Sequence, residues 1–365
     1  HHYGGSVIGF VGDAITCWFN IPSLHSEQPL YYSSLQATAA ALAMQSAMKP
    51  FAIVYTPDGS SVTLSIKVAI SSGTARRFVV GDPAIQQIDT VAGATLSRMS
   101  DAEKYAGQGE VVVSQEVVEN LGDVLSVSAW RAEKKYAVVD GLSTTVQAAP
   151  WPSLPETALS EDQARPWILP SIFEQLRSGV DSLGDLRPVT PLMVQFGGID
   201  FDTDKDAGAK LDALVSWAQR IIHRHGGSFL QLTIGDKGAF MYAAFGAPLA
   251  HENDPARALQ AALSLRNESV NQTAYITPLR IGLTRGTAWT GNYGGYGRFT
   301  YGVISSDVNL SARLMGKAEP GQILVSERMG QYPGFRFEHI GDLVYKGFET
   351  PLPTYSLLGE QVEDR

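Results

Sequence analysis

One cysteine, Cys17, stands in 365 residues, so no disulfide can close within the chain. Basic residues are the minority charge, 28 against 37 acidic, and they form no stripe. That removes the electrostatic footprint by which proteins hold a nucleic-acid backbone. No apolar run approaches the ~20 residues that a membrane-crossing helix needs, and no leader pattern opens the chain. Cys17, inside an apolar run, therefore reads as a buried reduced thiol in a cytoplasmic protein. Motifs for a resident metal are also wanting. His223 and His225 have no Cys or carboxylate partner at ligand spacing and read as helix-end residues. Asp202, Asp204 and Asp206 begin like a calcium loop, but its terminal position is Ala213.

What is present is a repeat. Tyr3-Gly4-Gly5-Ser6, running to Gly12-Asp13, returns as His225-Gly226-Gly227-Ser228, running to Gly235-Asp236. Arg77-Phe78-Val79-Val80-Gly81 returns as Arg298-Phe299-Thr300-Tyr301-Gly302. The two matches lie at nearly one offset, which argues for two copies of one domain. The length fits two domains, and 44% apolar residues supply each with a core.

The second copy reads in order. Leu192 to Ile199 suits a strand, and apolar residues from Leu211 to Ile222 recur at helical spacing over about 205–224. Gly226-Gly227 ends that helix. Strands at 228–234 and 238–245 flank a tight turn, Gly235-Asp236-Lys237-Gly238. A helix follows through Ala256 and Leu265, then a strand from Leu279 to Thr287. Gly291–Gly297 reads as a connecting loop and Arg298–Val303 as a strand. A short helix through Leu310 and Leu314, a strand at Ile323-Leu324-Val325 and closing strands near 343–345 and 354–357 complete the copy. The order β-α-β-β-α-β predicts an α+β fold of split β-α-β type, with helices on one face.

The first copy shows the same parts from its hairpin onward, with Val7–Phe10 and Ala14–Phe19 around Gly12-Asp13. A helix at Leu35–Met48 and strands at 62–70, 78–80 and 111–113 follow. About nine extra residues are expected near Asp89–Asp101, and an opening strand and helix are expected before His1. The predicted division is a first domain over 1–122, a Pro-rich linker over 123–188 and a second domain over 189–365.

The hairpin Gly-Gly-x-x-x-x-Phe-x-Gly-Asp-Ala and the segment Tyr301 to Arg313, with its Asn309-x-x-x-Arg313, resemble the class III nucleotidyl cyclases. The tandem-domain type typified by soluble adenylyl cyclase is the most similar. The resemblance covers about 1–122 and 186–360. It implies two ferredoxin-like (βαββαβ) cyclase domains in tandem, forming an intrachain pseudo-dimer. It also implies conversion of ATP to cyclic AMP and pyrophosphate with Mg²⁺ or Mn²⁺.

In such enzymes the ribose 3′-oxygen attacks the α-phosphorus, and two divalent ions neutralise the developing charge. By resemblance Asp13 is a metal ligand, Asn309 orients the ribose and Arg313 stabilises the phosphorus centre. Gly12, Gln231 and Gly302 contact substrate. Asn309 and Arg313, four apart, share one helix face. Three positions depart from the family pattern. Gln231 replaces a base-contacting Lys, Gly302 replaces the Asp or Thr that reads the purine, and Gly9 replaces a Lys before the metal Asp. ATP and GTP both stay open. A second reading is therefore a catalytically degenerate nucleotide- or bicarbonate-sensing module, and a third is a structural scaffold. The resemblance also implies further C-terminal domains in the parent protein.

Overall fold

The computed structural model describes residues 1–20, 28–155, 157–179, 184–235, 238–272, 274–295 and 298–361. The chain divides into two compact units, one of His1–Arg77 with Val91–Pro155 and one of Phe78–Thr90 with Glu156–Arg365. No helix among the described residues is long and apolar enough to cross a membrane.

The second unit holds the complete βαββαβ core. Strand Asp185–Phe196, helix Ala207–Arg224, strands Ser228–Gly235 and Gly238–Phe245, helix Asp254–Gln272 and strand Arg280–Leu283 follow one another. The first strand sits centrally, between the third and the fourth. Ile323–Ser326 then adds parallel to Arg280–Leu283, and Leu352–Glu360 and Phe335–Leu343 close the edge.

Side-chain alternation on the central strand gives this sheet two buried faces. Leu192 and Val194 are fully buried toward one face, and Met193 packs with Tyr242, Val303 and Met315 on the other. Helix Ser306–Lys317 covers the Met193 face, so the expectation of helices on one face is corrected. Two chemical features seat it. Ser305 caps its start, its hydroxyl accepting from the Val308 amide at 3.2 Å. Gly282 lets it approach, because a β-carbon there would lie 2.3 Å from the Ser311 carbonyl oxygen.

The first unit has a four-stranded sheet in the order Val68–Ile70, Val111–Ser114, Tyr136–Leu142, Leu125–Arg131. Val111 and Val113 face helix Pro29–Met48, while Val112 faces Ala102 on helix Ala94–Lys104. The hairpin Gly5–Val11 with Ala14–Phe19 is a separate two-stranded sheet. Among the described residues no strand links it to the larger sheet as Asp185–Phe196 does in the second unit. Cys17 is half-buried rather than enclosed, and burial raises its thiol pKa.

Three expectations shift here. The strands Leu125–Arg131 and Tyr136–Leu142 belong to the first unit's sheet, so that unit runs past 122 and the connection to Asp185 is shorter. Arg76–Val80 is not the counterpart of Arg298–Ile304. Ile88–Ala92 is, because helix Ala94–Lys104 follows it at once, as Ser306–Lys317 follows Arg298–Ile304. The extra residues of the first copy therefore lie elsewhere, in the hairpin Ile53–Tyr55 with Ser61–Thr63. The segment 291–295, read as loop, is the end of strand Gly286–Gly295 and pairs Gly291 with Gly302. Asp236, Lys237, Tyr296 and Gly297 lie outside the described residues.

Candidate active site

A row of cross-strand partners runs across the Met193 face. Gln231 pairs with Tyr242, Tyr242 with Met193, and Met193 with Gly282. Directly paired residues point to the same side of a sheet. Gln231 and helix Ser306–Lys317, which stands on Gly282, therefore share this face. Three strand spacings separate the two ends of the row, ~14 Å.

At one end, the half-buried Gln231 amide donates from Nε2 to Thr233 Oγ1 at 2.9 Å, which leaves Oε1 as the acceptor of that side chain. The Tyr242 hydroxyl is buried and donates to the Val303 carbonyl at 3.2 Å. Burial pushes its pKa far up, so it stays a neutral donor. That bond ties strand Arg298–Ile304, with Gly302, to the Gln231 end. Gly302 has no room for a side chain, since a β-carbon would lie 2.8 Å from Tyr293 Cβ. Gln231 and Gly302 thus come together around Tyr242.

At the other end, Asn309 is exposed and Arg313 half-buried, one turn apart on the helix. Arg313 Nε is buried without a hydrogen-bond partner. Its Nη2 would stand 3.9 Å from a β-carbon on Gly347. A partly desolvated guanidinium without a counter-charge is costly, and an anion relieves that cost. By contrast, the buried Asp307 in the same helix is already paired with Arg328 at 2.9 Å.

In the first unit, Gly12 and Asp13 form the exposed tip of the hairpin, with Gly12 at φ +59°. Its helix Ala94–Lys104 carries Ser97 and Asp101 in the register of Asn309 and Arg313, and Asp101 pairs with Lys104 at 2.8 Å. An acid there cannot do the work of a guanidinium, so only the second unit offers a phosphate-binding cation at this position. Among the described residues no three His, Cys, Asp or Glu side chains gather as a metal site. The acids of 200–206 are used in turns and in the Asp204–Lys210 pair at 2.7 Å.

The structure adds three residues that sequence reasoning passed over. Tyr242, Thr233 and Gly282 shape the face without carrying its chemistry. Only Gly282 left a sequence signal, an isolated glycine within an apolar strand, which marks close approach of another backbone.

Residues 209–359 match the adenylate and guanylate cyclase catalytic domain family. That stretch is similar to a class III cyclase domain. The matched stretch spans the Gln231–Gly282 row and the whole of helix Ser306–Lys317. Adenylate cyclase type 10 of Rattus norvegicus is 28% identical over 181 residues, 48% of this chain and 11% of that protein. The Homo sapiens protein of that name is 26% identical over 199 residues, 53% of this chain and 12% of that one. This chain thus spans about a tenth of the length of these curated relatives. An uncharacterized Mycobacterium tuberculosis protein is 24% identical over 97% of this chain and 84% of its own length. The crystal structure of the adenylyl cyclase CyaB from P. aeruginosa superposes with TM-score 0.45 at 20% identity, covering 49% of this chain and 97% of that one.

Proposed function

We propose that the chain is the core of a nucleotide cyclase that converts ATP to cyclic AMP and pyrophosphate. The observation that carries this reading is Arg313, half-buried and unpaired at its Nε, one turn from Asn309 on the face that ends at Gln231. The ~14 Å row accommodates a base at one end and phosphates at the other.

In the reaction, the ribose 3′-oxygen forms a bond to the α-phosphorus, the bond to the bridging oxygen breaks, and pyrophosphate leaves. The hydroxyl proton passes to solvent. Asn309 holds the ribose, and the Arg313 guanidinium stabilises the charge that builds on the phosphorus oxygens. A fixed cation of this kind contributes ~10²–10³ in rate. Gln231 presents Oε1, which accepts from the exocyclic amine of adenine. Gly302 offers the substrate backbone in place of a side chain.

Asp13 is a donor of the kind Mg²⁺ or Mn²⁺ takes, and among the described residues it belongs to no cluster of three metal-binding side chains. One carboxylate suits an ion that arrives on nucleotide phosphates, since Mg²⁺ commonly keeps one or two carboxylates plus phosphate oxygens. When bound, the ion supplies charge neutralisation.

A second reading is a regulatory module that binds nucleotide or bicarbonate without turnover. It is favoured by the Gln231 amide, which is already committed to Thr233, and by the absent side chain at Gly302. Incubation with Mn²⁺ and ATP, and separately GTP, followed by chromatography for cyclic nucleotide, separates the readings. Cyclic AMP supports the first. Calorimetric binding of a non-hydrolysable ATP analogue with no product from either nucleotide supports the second and overturns the first.

A further inference from the structure

The hairpin of Ile53–Tyr55 with Ser61–Thr63 is a two-stranded sheet of its own. Ile53 and Tyr55 share one side of it, and Val54 shares the other with its cross-strand partner Val62. Neither side is a core. Phe51, Ile53, Val54, Tyr55, Val62 and Leu64 are 38–77% exposed. Together they present roughly 600–700 Å² of mostly apolar surface, at or above the largest patch of a typical monomer. The pairing is nevertheless well formed. The Leu64 amide donates to the Ala52 carbonyl at 3.0 Å, and the Thr56 amide to the Ser60 carbonyl at 2.9 Å. Two strands alone are marginal in water, so an ordered hairpin with both faces apolar gains stability from being covered.

The charges on the hairpin select what covers it. Residues 50–57 and 59–66 are uncharged, so the strand edges lack the lysines that ordinarily block pairing. Charge stands only at the ends, with Asp58 at the tip and Lys49 and Lys67 at the base. The Thr56 hydroxyl, then the Ser60 amide and hydroxyl, hold the Asp58 carboxyl down to about 2, so the tip stays an anion. Lys67 pairs with Glu103 at 3.0 Å, and Lys49 is exposed. A twofold axis that sets two such hairpins antiparallel lays each acidic tip beside the other's basic end, and one operation makes both ion pairs. The area also fits, because two copies would bury about 1,200–1,400 Å², the low end of specific interfaces. A lipid surface fits less well. The tip would enter a bilayer carrying its carboxylate, and two lysines fall short of the four to eight that hold an anionic membrane.

We propose that this hairpin is the surface through which two copies of the chain pair, antiparallel, with Asp58 at the tip of one beside Lys49 at the base of the other. The pairing goes beyond the cyclase reading and does not depend on it.

Sedimentation equilibrium of the full chain over a concentration series tests this. The expected result is a 39.3 kDa monomer in equilibrium with a dimer, half-dissociated at ~10 μM, as befits a small interface. Ile53→Lys raises the dissociation constant about tenfold or more, since the symmetry places two new charges in one apolar contact. Val62→Lys, on the other strand and the other face, does the same and covers the case in which Ile53→Lys distorts the hairpin. Lys49→Glu weakens the dimer about threefold to tenfold and removes its sensitivity to salt, because each substitution counts twice. Circular dichroism matching the wild type shows that the variants are folded. A wild type that stays monomeric to ~100 μM overturns the proposal. So does a dimer that Ile53→Lys and Val62→Lys leave intact, which would place the contact on another surface. Flotation of a monomeric wild type, but not of Ile53→Lys, with phosphatidylserine–phosphatidylcholine vesicles also overturns it and assigns the hairpin to lipid.

Discussion

Gly282 lies directly beneath Ser311 and Met315: a β-carbon on Gly282 would stand 2.3 Å from the Ser311 carbonyl oxygen and 2.3 Å from the Met315 amide nitrogen. The Ser311 hydroxyl also donates to the Pro191 carbonyl at 3.2 Å, so the helix is held on the sheet from two sides. Gly282→Ala is expected to lift helix Ser306–Lys317 and destabilise the protein by about 1–3 kcal/mol, the usual cost of overpacking. Urea midpoints measure this. A variant as stable as its parent would show that the helix does not rest tightly on this strand.

Arg313→Ala is predicted to reduce kcat by ~10²–10³. Its unfolding midpoint should not fall, because the substitution removes a buried Nε that has no partner. Arg313→Lys keeps the charge and loses the planar fork, so it should recover only part of the rate. A fall in stability equal to the fall in rate would assign Arg313 to packing instead.

Asp13→Asn is predicted to raise the Mn²⁺ concentration needed for half-maximal cyclic nucleotide formation. An unchanged Mn²⁺ requirement would mean that the hairpin tip takes no metal.

His225 is half-buried near Arg224 and Arg257, and burial leads in lowering its pKa below the ordinary 6.5. Below that value the unfolded chain binds a proton that the folded chain resists. Stability therefore is highest above about pH 6.5 and declines as the pH falls toward the lowered native pKa. His225→Gln should flatten this acid-side decline, read from thermal midpoints between pH 7.5 and 5. An unchanged slope would place the dependence on other groups.

The added hairpin of the first copy carries Ile53 at 60% and Tyr55 at 77% exposure. These side chains contribute little burial, so Ile53→Thr with Tyr55→Ser should shift stability by no more than ~0.5 kcal/mol. The pair should slow aggregation on storage, since exposed apolar strands without charge invite pairing. Light scattering distinguishes this from a loss of folding, which would show the hairpin to be structural.

Much of the fold was legible because its periodicities were strong. The apolar spacing from Leu211 to Ile222 marked helix Ala207–Arg224 closely, and Gly226-Gly227 marked its end. The alternating strands Leu125–Arg131 and Tyr136–Leu142 were absorbed into the linker because the prolines farther along dominated that stretch. The alignment of Arg77 with Arg298 failed for a different reason. Short strands resemble one another in composition, and only the helix that follows fixes which one is meant. At the site, Asn309 and Arg313 were visible as a spacing on one helix. The part of Tyr242 was not, because it depends on a hydrogen bond between strands that no local pattern encodes.

In each unit an ion pair also fastens the helix to the residue two places beyond the strand that follows it, with opposite polarity. In the second, the acid is on the helix, with Asp307 paired to Arg328. In the first, the base is on the helix, with Arg98 paired to Glu116 at 3.0 Å. Exchanging the two helices would leave Glu116 or Arg328 without its counter-charge, because Asp307 stands second in its helix and Arg98 fifth. The halves have become non-interchangeable parts, and recombination between them is penalised at that joint.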